Sequence, residues 1–471
     1  MTYNLIKISG KHMLYALFTI LVLCFVGCKD SEDDSEVDTF DPSKPVLVSD
    51  FIPKSGGANQ RLVIYGSNFG NDPSKIHVYI GGKQAITIGV KSESLYCLVP
   101  EKAYSGKIEV IIDNGDQSVI AEAESIFNYQ KTMVVSTLCG YRNERDDQGW
   151  HDGKFSECTG FGSDAVMMFD PKNSKHLYVV YDNSDYVKLI NFEDSTVTTA
   201  FTRGMGQWNR MRSIDFTLDG EYMLIANDAG DHDAAVSILS RANGFKDPQR
   251  LTENKQCNGA SIHPITGEMY FNSFEKGQFY RFDMNKFYSG SWNVKDYQEL
   301  FKIQDNGWEF KIVMHPSGNY AYIVVINQHY ILRTDYNWAE KKFNQPYVIC
   351  GTARQSGWVD GVGTSVRLAR PYQGVFVKNP DYKGKADEYD FYFVEKDNHD
   401  IRKLTPEGKV TTFAGRGSES LNGDKWGFVE GDLRKDARFR DPTGIAYNEE
   451  EKAFYINDNT NRRIRKIALE K

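Results

Sequence analysis

Apolar residues in this chain recur in short alternating runs broken by glycine, proline and Asx residues, and almost nowhere at helical spacing. Leu62-Val63-Ile64-Tyr65, Leu177-Tyr178-Val179-Val180 and Ala321-Tyr322-Ile323-Val324-Val325 are examples. Such runs bounded by turn residues read as strands. With 471 residues, the chain is too long for one ordinary core. The pattern predicts an all-β protein of more than one domain.

Near the C-terminus one pattern occurs twice. Leu368-Ala369-Arg370-Pro371-Tyr372-Gln373-Gly374-Val375 leads to Phe391-Tyr392-Phe393-Val394 and then Asp400-Ile401-Arg402-Lys403-Leu404. Phe439-Arg440-Asp441-Pro442-Thr443-Gly444-Ile445-Ala446 leads in the same way to Phe454-Tyr455-Ile456-Asn457 and Ile464-Arg465-Lys466-Ile467. The opening pattern returns upstream at Ala165-Val166-Met167, Arg212-Ser213-Ile214, Ala260-Ser261-Ile262 and Lys311-Ile312-Val313. That makes six units at about 45 to 70 residues each, a period of four-stranded propeller blades. Blade six runs out after its third strand, and Met133-Val134-Val135-Ser136-Thr137-Leu138-Cys139-Gly140 matches the missing fourth. Residues 130–471 are therefore expected to form a six-bladed β-propeller whose N-terminal strand closes the ring and covers its open sheet edges. The strongest copies, Asp458-Asn459-Thr460-Asn461-Arg462-Arg463-Ile464-Arg465 and Gly408-Lys409-Val410-Thr411-Thr412-Phe413-Ala414-Gly415, resemble the NHL repeat.

Residues 45–129 read as a small sandwich of short strands. Phe51-Ile52-Pro53-Lys54-Ser55-Gly56-Gly57, Ile64-Tyr65-Gly66-Ser67-Asn68-Phe69-Gly70 and Ser125-Ile126-Phe127-Asn128-Tyr129 make this segment resemble the immunoglobulin-like IPT/TIG family. The resemblance implies a spacer or stalk. A net charge of −8 offers no footprint for nucleic acid.

Lys7 and Lys11 precede an apolar stretch from Met13 to Val26, so residues 1–27 read as a signal peptide. Phe25-Val26-Gly27-Cys28 resembles a bacterial lipobox, which implies acylation of Cys28, although Phe25 departs from the usual Leu. Lys29-Asp30-Ser31-Glu32-Asp33-Asp34 resembles the acidic tag of surface lipoproteins in Bacteroidetes. Residues 28–44 are then a solvated tether, and the protein is expected on the outer-membrane surface, held by lipid. Cys97, Cys139, Cys158, Cys257 and Cys350 remain, an odd number that cannot all pair. Cys139-Gly140 and Cys350-Gly351 occupy the slot of Ala414-Gly415 and read as small core residues, while the pairing of Cys139 with Cys158 stays open.

In a propeller the loops between second and third strands share a face with the linkers between blades. Five of the seven tryptophans fall on those linkers: Trp150, Trp208, Trp308, Trp358 and Trp426. Aromatic faces beside charged and amide groups suit sugars, whose C–H faces stack while their hydroxyls take directed hydrogen bonds. Trp150, Trp358 and Trp426 belong to one repeated motif with Asp152, Asp360 and Glu430, and serve either as ligand contacts or as plugs between blades. Trp208 with Arg210 and Arg212, and Trp308 with Glu309, stand outside it and are the stronger ligand candidates. Asp228 and His232 in the Asn227 to Asp233 loop, and His399, complete the expected contact set. No cofactor is expected; groupings such as Asp228, Asp231, His232 and Asp233 suit Ca²⁺ or acid/base work, yet turn formation explains them equally.

The residues and resemblances together point to a surface lipoprotein that binds a polysaccharide or oligosaccharide without cleaving it and passes it to an outer-membrane glycan transporter. A lyase or hydrolase at the propeller mouth, or a protein-binding scaffold, are the alternatives.

Overall fold

The computed structural model describes residues 39–115, 117–140, 149–182, 184–230, 233–253, 255–303, 307, 309–417 and 425–470. The chain divides into two compact units between Lys131 and Thr132. In the first, a sheet ordered Leu47–Ile52, Arg61–Ser67, Ser94–Leu98, Ile86–Lys91 accompanies a second sheet. The second is ordered Ser55–Gly56, Gln117–Tyr129, Gly106–Asn114, Ile76–Ile80, Lys83–Gln84. Strand alternation builds the core: Ile76, Val78 and Ile80 are buried while His77 and Tyr79 lie at half-burial, and Phe51, Leu95 and Phe127 join the same cluster. Asn68 donates to the carbonyls of Asp41 and Lys44 and accepts from the Asp41 amide, which fastens the end of the expected tether to this unit.

The second unit is the six-bladed propeller, one antiparallel sheet per blade. Counted from the axis outward, blade 1 is Ala165–Asp170, Asn173–Tyr181, Tyr186–Asn191 and Thr196–Thr202. Blade 2 is Met211–Phe216, Tyr222–Asn227, Ala234–Ser240 and Gln249–Glu253; blade 3 is Ala260–Ile262, Met269–Ser273, Gln278–Phe282 and Tyr297–Lys302. Blade 4 is Phe310–Met314, Tyr320–Val325, Tyr330–Asn337 and Tyr347–Gly351; blade 5 is Pro371–Lys378, Tyr389–Glu395, Asp400–Leu404 and Lys409–Gly415. Blade 6 takes Pro442–Asn448, Ala453–Asp458 and Arg463–Leu469 from the C-terminus and its outer strand, Met133–Cys139, from the start of the unit. The ring closes as the sequence predicts, with Val135 opposite Ile467 and Cys139 opposite Ile464.

Six inner strands around an axis cannot form a continuous ladder, and side chains fill the gaps. Thr443 Oγ1 accepts from the Ala165 amide, Ser213 Oγ from Ala260 and Asp215 Oδ2 from Ile262. Gln373 reaches further: its Oε1 accepts from Met167 and Ile445 together, and its Nε2 donates to the Met167 carbonyl. Backbone groups on these inner edges are thereby paired without strand contact.

The residues that made the C-terminal copies alike are structural. Arg402 and Arg465, both fully buried, pair with Glu395 and Asp458. Each guanidinium also donates to a linker carbonyl, Val359 or Val429. Asn398 and Asn461 repeat one arrangement, donating to Gly357 or Gly427 and to the same buried carboxylate. In the tryptophan motif the acid binds a blade: Asp152 accepts from the Thr199 amide at 2.7 Å, Asp360 from Thr412 at 3.2 Å and Glu430 from Thr137 at 2.8 Å.

Candidate functional site

Four of the sequence-selected residues converge at one mouth of the propeller axis: Arg210, Arg212, Asp228 and Glu309. Asn side chains at the ends of second strands or just beyond them place the linkers. Asn227 Oδ1 accepts from the Asn209 and Arg210 amides, fixing the linker into blade 2. Asn327 Oδ1 accepts from Glu309, and Asn272 Oδ1 from Asn258 and Gly259. These asparagines, at the ends of second strands or just beyond them, act as clamps on the linker beside them.

Arg210, 31% exposed, forks onto Asp182 and also reaches Asp228 Oδ2 at 3.2 Å. Beneath it the fully buried Arg212 lies 3.5 Å from both Asp182 and Asp228 and 3.1 Å from Glu309 Oε2. Lys311, on the inner strand of blade 4, crosses to donate to the carbonyls of Arg212 at 2.5 Å and Asn258 at 2.9 Å. Its ammonium stands 5.3 Å from the ring of the buried Tyr372. On the far side Lys396 bridges to Asp164 at 2.7 Å, and Asn459 donates to the same carboxylate.

Burial and charge pull these groups apart. Desolvation pushes Asp182 and Glu309 upward, but Arg210 and Arg212 outweigh it and hold both carboxyls below their ordinary values. Asp228 is net raised, because its burial exceeds what the two guanidiniums return. Lys311 is lowered to about 7 by burial and then by the neighbouring Arg212 charge. The buried Asn258 amide and Arg212 Nε have no hydrogen-bond partner among the described residues. Below the mouth, a cavity of about 530 Å³ runs along the inner strands, lined by Lys311, Gln373 and apolar side chains such as Met168, Phe216, Ile262 and Met314.

The other expected contacts fall elsewhere. Trp208 is 3% exposed, packs on Phe201 and donates from its indole to Ser237 Oγ, so its ring is core and cannot stack on a ligand. Trp358 donates to the buried Asp400 and is covered by the Arg416 guanidinium at 3.8 Å. His399 Nδ1 accepts from the Asp441 amide, as His329 accepts from Arg370 one blade earlier, so it forms a repeated link between blades away from the Arg210 cluster. Burial depresses its pKa, which suits that acceptor role. Trp426 remains 40% exposed with Arg440 over its ring at 4.3 Å. His232, Trp308 and Cys28 lie outside the described residues. Among the described residues, no three His, Cys, Asp or Glu side chains converge to hold a metal ion.

Sequence reasoning missed Asp164, Lys311, Lys396 and Asn258. Lys311 is the second residue of its inner strand, as Arg212 is of the one in blade 2, and that shared register is the signal that could have found it.

An IPT/TIG domain model matches residues 45–129. No curated protein matches the chain. A Bacteroides thetaiotaomicron protein described as an auxiliary nutrient binding protein is 48% identical with a TM-score of 0.85, covering 92% of this chain and 100% of its own. The chain belongs to this Bacteroides family. A second B. thetaiotaomicron member, described as a putative phosphatase, is 47% identical with a TM-score of 0.86 over 92% of this chain and 99% of its own. A Bacteroides ovatus member, again described as an auxiliary nutrient binding protein, is 38% identical with a TM-score of 0.70 over 92% and 100%. The family's shared architecture is thus a TIG unit joined to a propeller.

Proposed function

We propose that the propeller mouth binds a neutral, hydroxyl-rich nutrient, a polysaccharide or oligosaccharide, without cleaving it. One observation carries this reading: the cations Arg210, Arg212 and Lys396 are already engaged by the carboxylates Asp164, Asp182, Asp228 and Glu309, and Lys311 by backbone carbonyls. A dense array of fixed donors and acceptors with little net field suits hydroxyls, which both give and take hydrogen bonds. An anion such as a phosphate ester would meet guanidiniums already engaged by carboxylates. The unpartnered Asn258 amide adds a donor and an acceptor.

Two family members described as nutrient binding proteins support the same role. The Cys28 lipobox and the acidic residues after it support a lipid-anchored protein on the outer-membrane surface, with the TIG unit as spacer and a glycan transporter as partner. Affinity electrophoresis across a panel of neutral and acidic polysaccharides, with product analysis on the same samples, tests the function. Retardation without new chain ends is expected; new ends would establish an enzyme, and no retardation on any polymer would favour a protein-binding scaffold.

A further inference from the structure

Three seams of the propeller share one construction. At the end of a blade's outer strand, a small residue precedes a glycine in the left-handed region: Cys139-Gly140, Cys350-Gly351 and Ala414-Gly415, with glycine φ of 103°, 85° and 100°. A Cβ on those glycines would fall 2.6, 2.7 and 2.8 Å from the carbonyls of Arg462, His329 and His399. In the linker that follows, a second small or apolar residue is buried just before a backbone pairing. Thr159 donates to His151, Arg367 to Val359 and Arg438 to Val429, which places Cys158, Val366 and Ala437 at one equivalent position. Each pair shares a core cluster: Cys350 with Val366, Ala414 with Ala437, and Cys139 with Cys158.

Of these three seams, only the one that follows the ring-closing strand carries cysteine at both positions. There both thiols are buried in one cluster with Phe161, Tyr181 and Ile464. Among the described residues the other cysteines lie apart, Cys97 in the sandwich core, Cys257 in the linker into blade 3 and Cys350 in blade 4.

We propose that Cys139 and Cys158 form a disulfide that staples the ring-closing strand to the linker entering blade 1. The step consumes one small-molecule or protein disulfide as oxidant. One of the two protein thiolates attacks it and releases one thiolate, and the other then displaces the second, so that two protein thiols become one disulfide and the oxidant becomes two thiols. Both sulfurs are buried in the closed ring, so the exchange belongs to the stage before the seam packs.

The full chain, refolded with oxidised glutathione or with dithiothreitol, tests this. After alkylation of free thiols under denaturing conditions and non-reducing proteolysis, the oxidised sample should yield a Cys139–Cys158 linked peptide and melt roughly 5 °C above the reduced one. Cys139→Ala/Cys158→Ala reproduces the Ala414–Ala437 seam and should fold, with equal melting in both conditions. Alkylation of both thiols in the oxidised sample, or linkage of either to another cysteine, overturns the pairing. A linked peptide with no melting shift overturns the stapling role.

Discussion

Arg210 holds Asp182 through two parallel hydrogen bonds, Nε to Oδ1 at 2.9 Å and Nη2 to Oδ2 at 2.7 Å, joining a loop of blade 1 to the linker into blade 2. The fork fixes the guanidinium plane while leaving part of it open at the mouth. Arg210→Ala should therefore weaken binding of a polysaccharide identified by the panel about 10- to 100-fold, or about 1 to 3 kcal/mol. Arg210→Lys should recover little, because a point charge cannot replace a planar fork. Isothermal titration checks both variants, and wild-type affinity in Arg210→Ala removes the mouth as the site.

Trp208 and Trp426 should behave oppositely. The ring of Trp208 sits in the core with Phe201 and Met211, so Trp208→Ala should cost about 3 to 5 kcal/mol in urea unfolding while leaving the affinity of the folded protein unchanged. Trp426 is a partly exposed ring under a guanidinium, so Trp426→Ala should shift unfolding by less than about 1 kcal/mol. A stability loss for Trp426→Ala matching that of Trp208→Ala would show that the exposed ring also plugs the seam.

Lys311 gives stability a pH dependence of fixed sign. Its folded pKa of about 7 lies below the unfolded value of about 10.4, so above pH 7 the unfolded chain binds the extra proton. Stability from this group therefore rises with pH, at up to about 1.4 kcal/mol per unit. Above about pH 8.5 unfolded thiols begin to ionise, and the buried Cys97, Cys257 and Cys350, all pushed upward by desolvation, pull the other way. The clean window is pH 7 to 8.5. Across it, urea unfolding of wild type should gain stability relative to Lys311→Met, and parallel curves would place the Lys311 pKa near its ordinary value.

What the sequence made legible follows from how locally each feature is encoded. Strand alternation, glycine turns and the repeated Arg402 and Arg465 positions are local, so six blades and the closing role of Met133–Cys139 were readable in advance. Burial of a linker side chain is not local. Trp208 and Arg210 sit two residues apart, yet one points into the core and the other to the mouth, and only the packing of Phe201 and Asp182 decides which. Lys311 escaped notice for a related reason: among apolar inner-strand neighbours it reads as a surface residue, whereas its amine crosses the axis to carbonyls of blade 2 and the linker into blade 3.

The closing strand bears a load that no other outer strand does, because only hydrogen bonds and packing attach it to blade 6. Val135 is buried and paired on both sides, opposite Ile467 and opposite Gly431. Proline there removes an amide that one of those neighbours uses and clashes with the ladder, so Val135→Pro should cost about 3 kcal/mol or more. It should also expose the edge of Arg463–Leu469 and promote association through it. Glu430→Ala, which deletes only the acceptor for the Thr137 amide, should cost about 1 to 2 kcal/mol and leave the strand in place. Thermal melting with light scattering separates the two. If Val135→Pro melts as wild type and stays monodisperse, the ring does not depend on this strand.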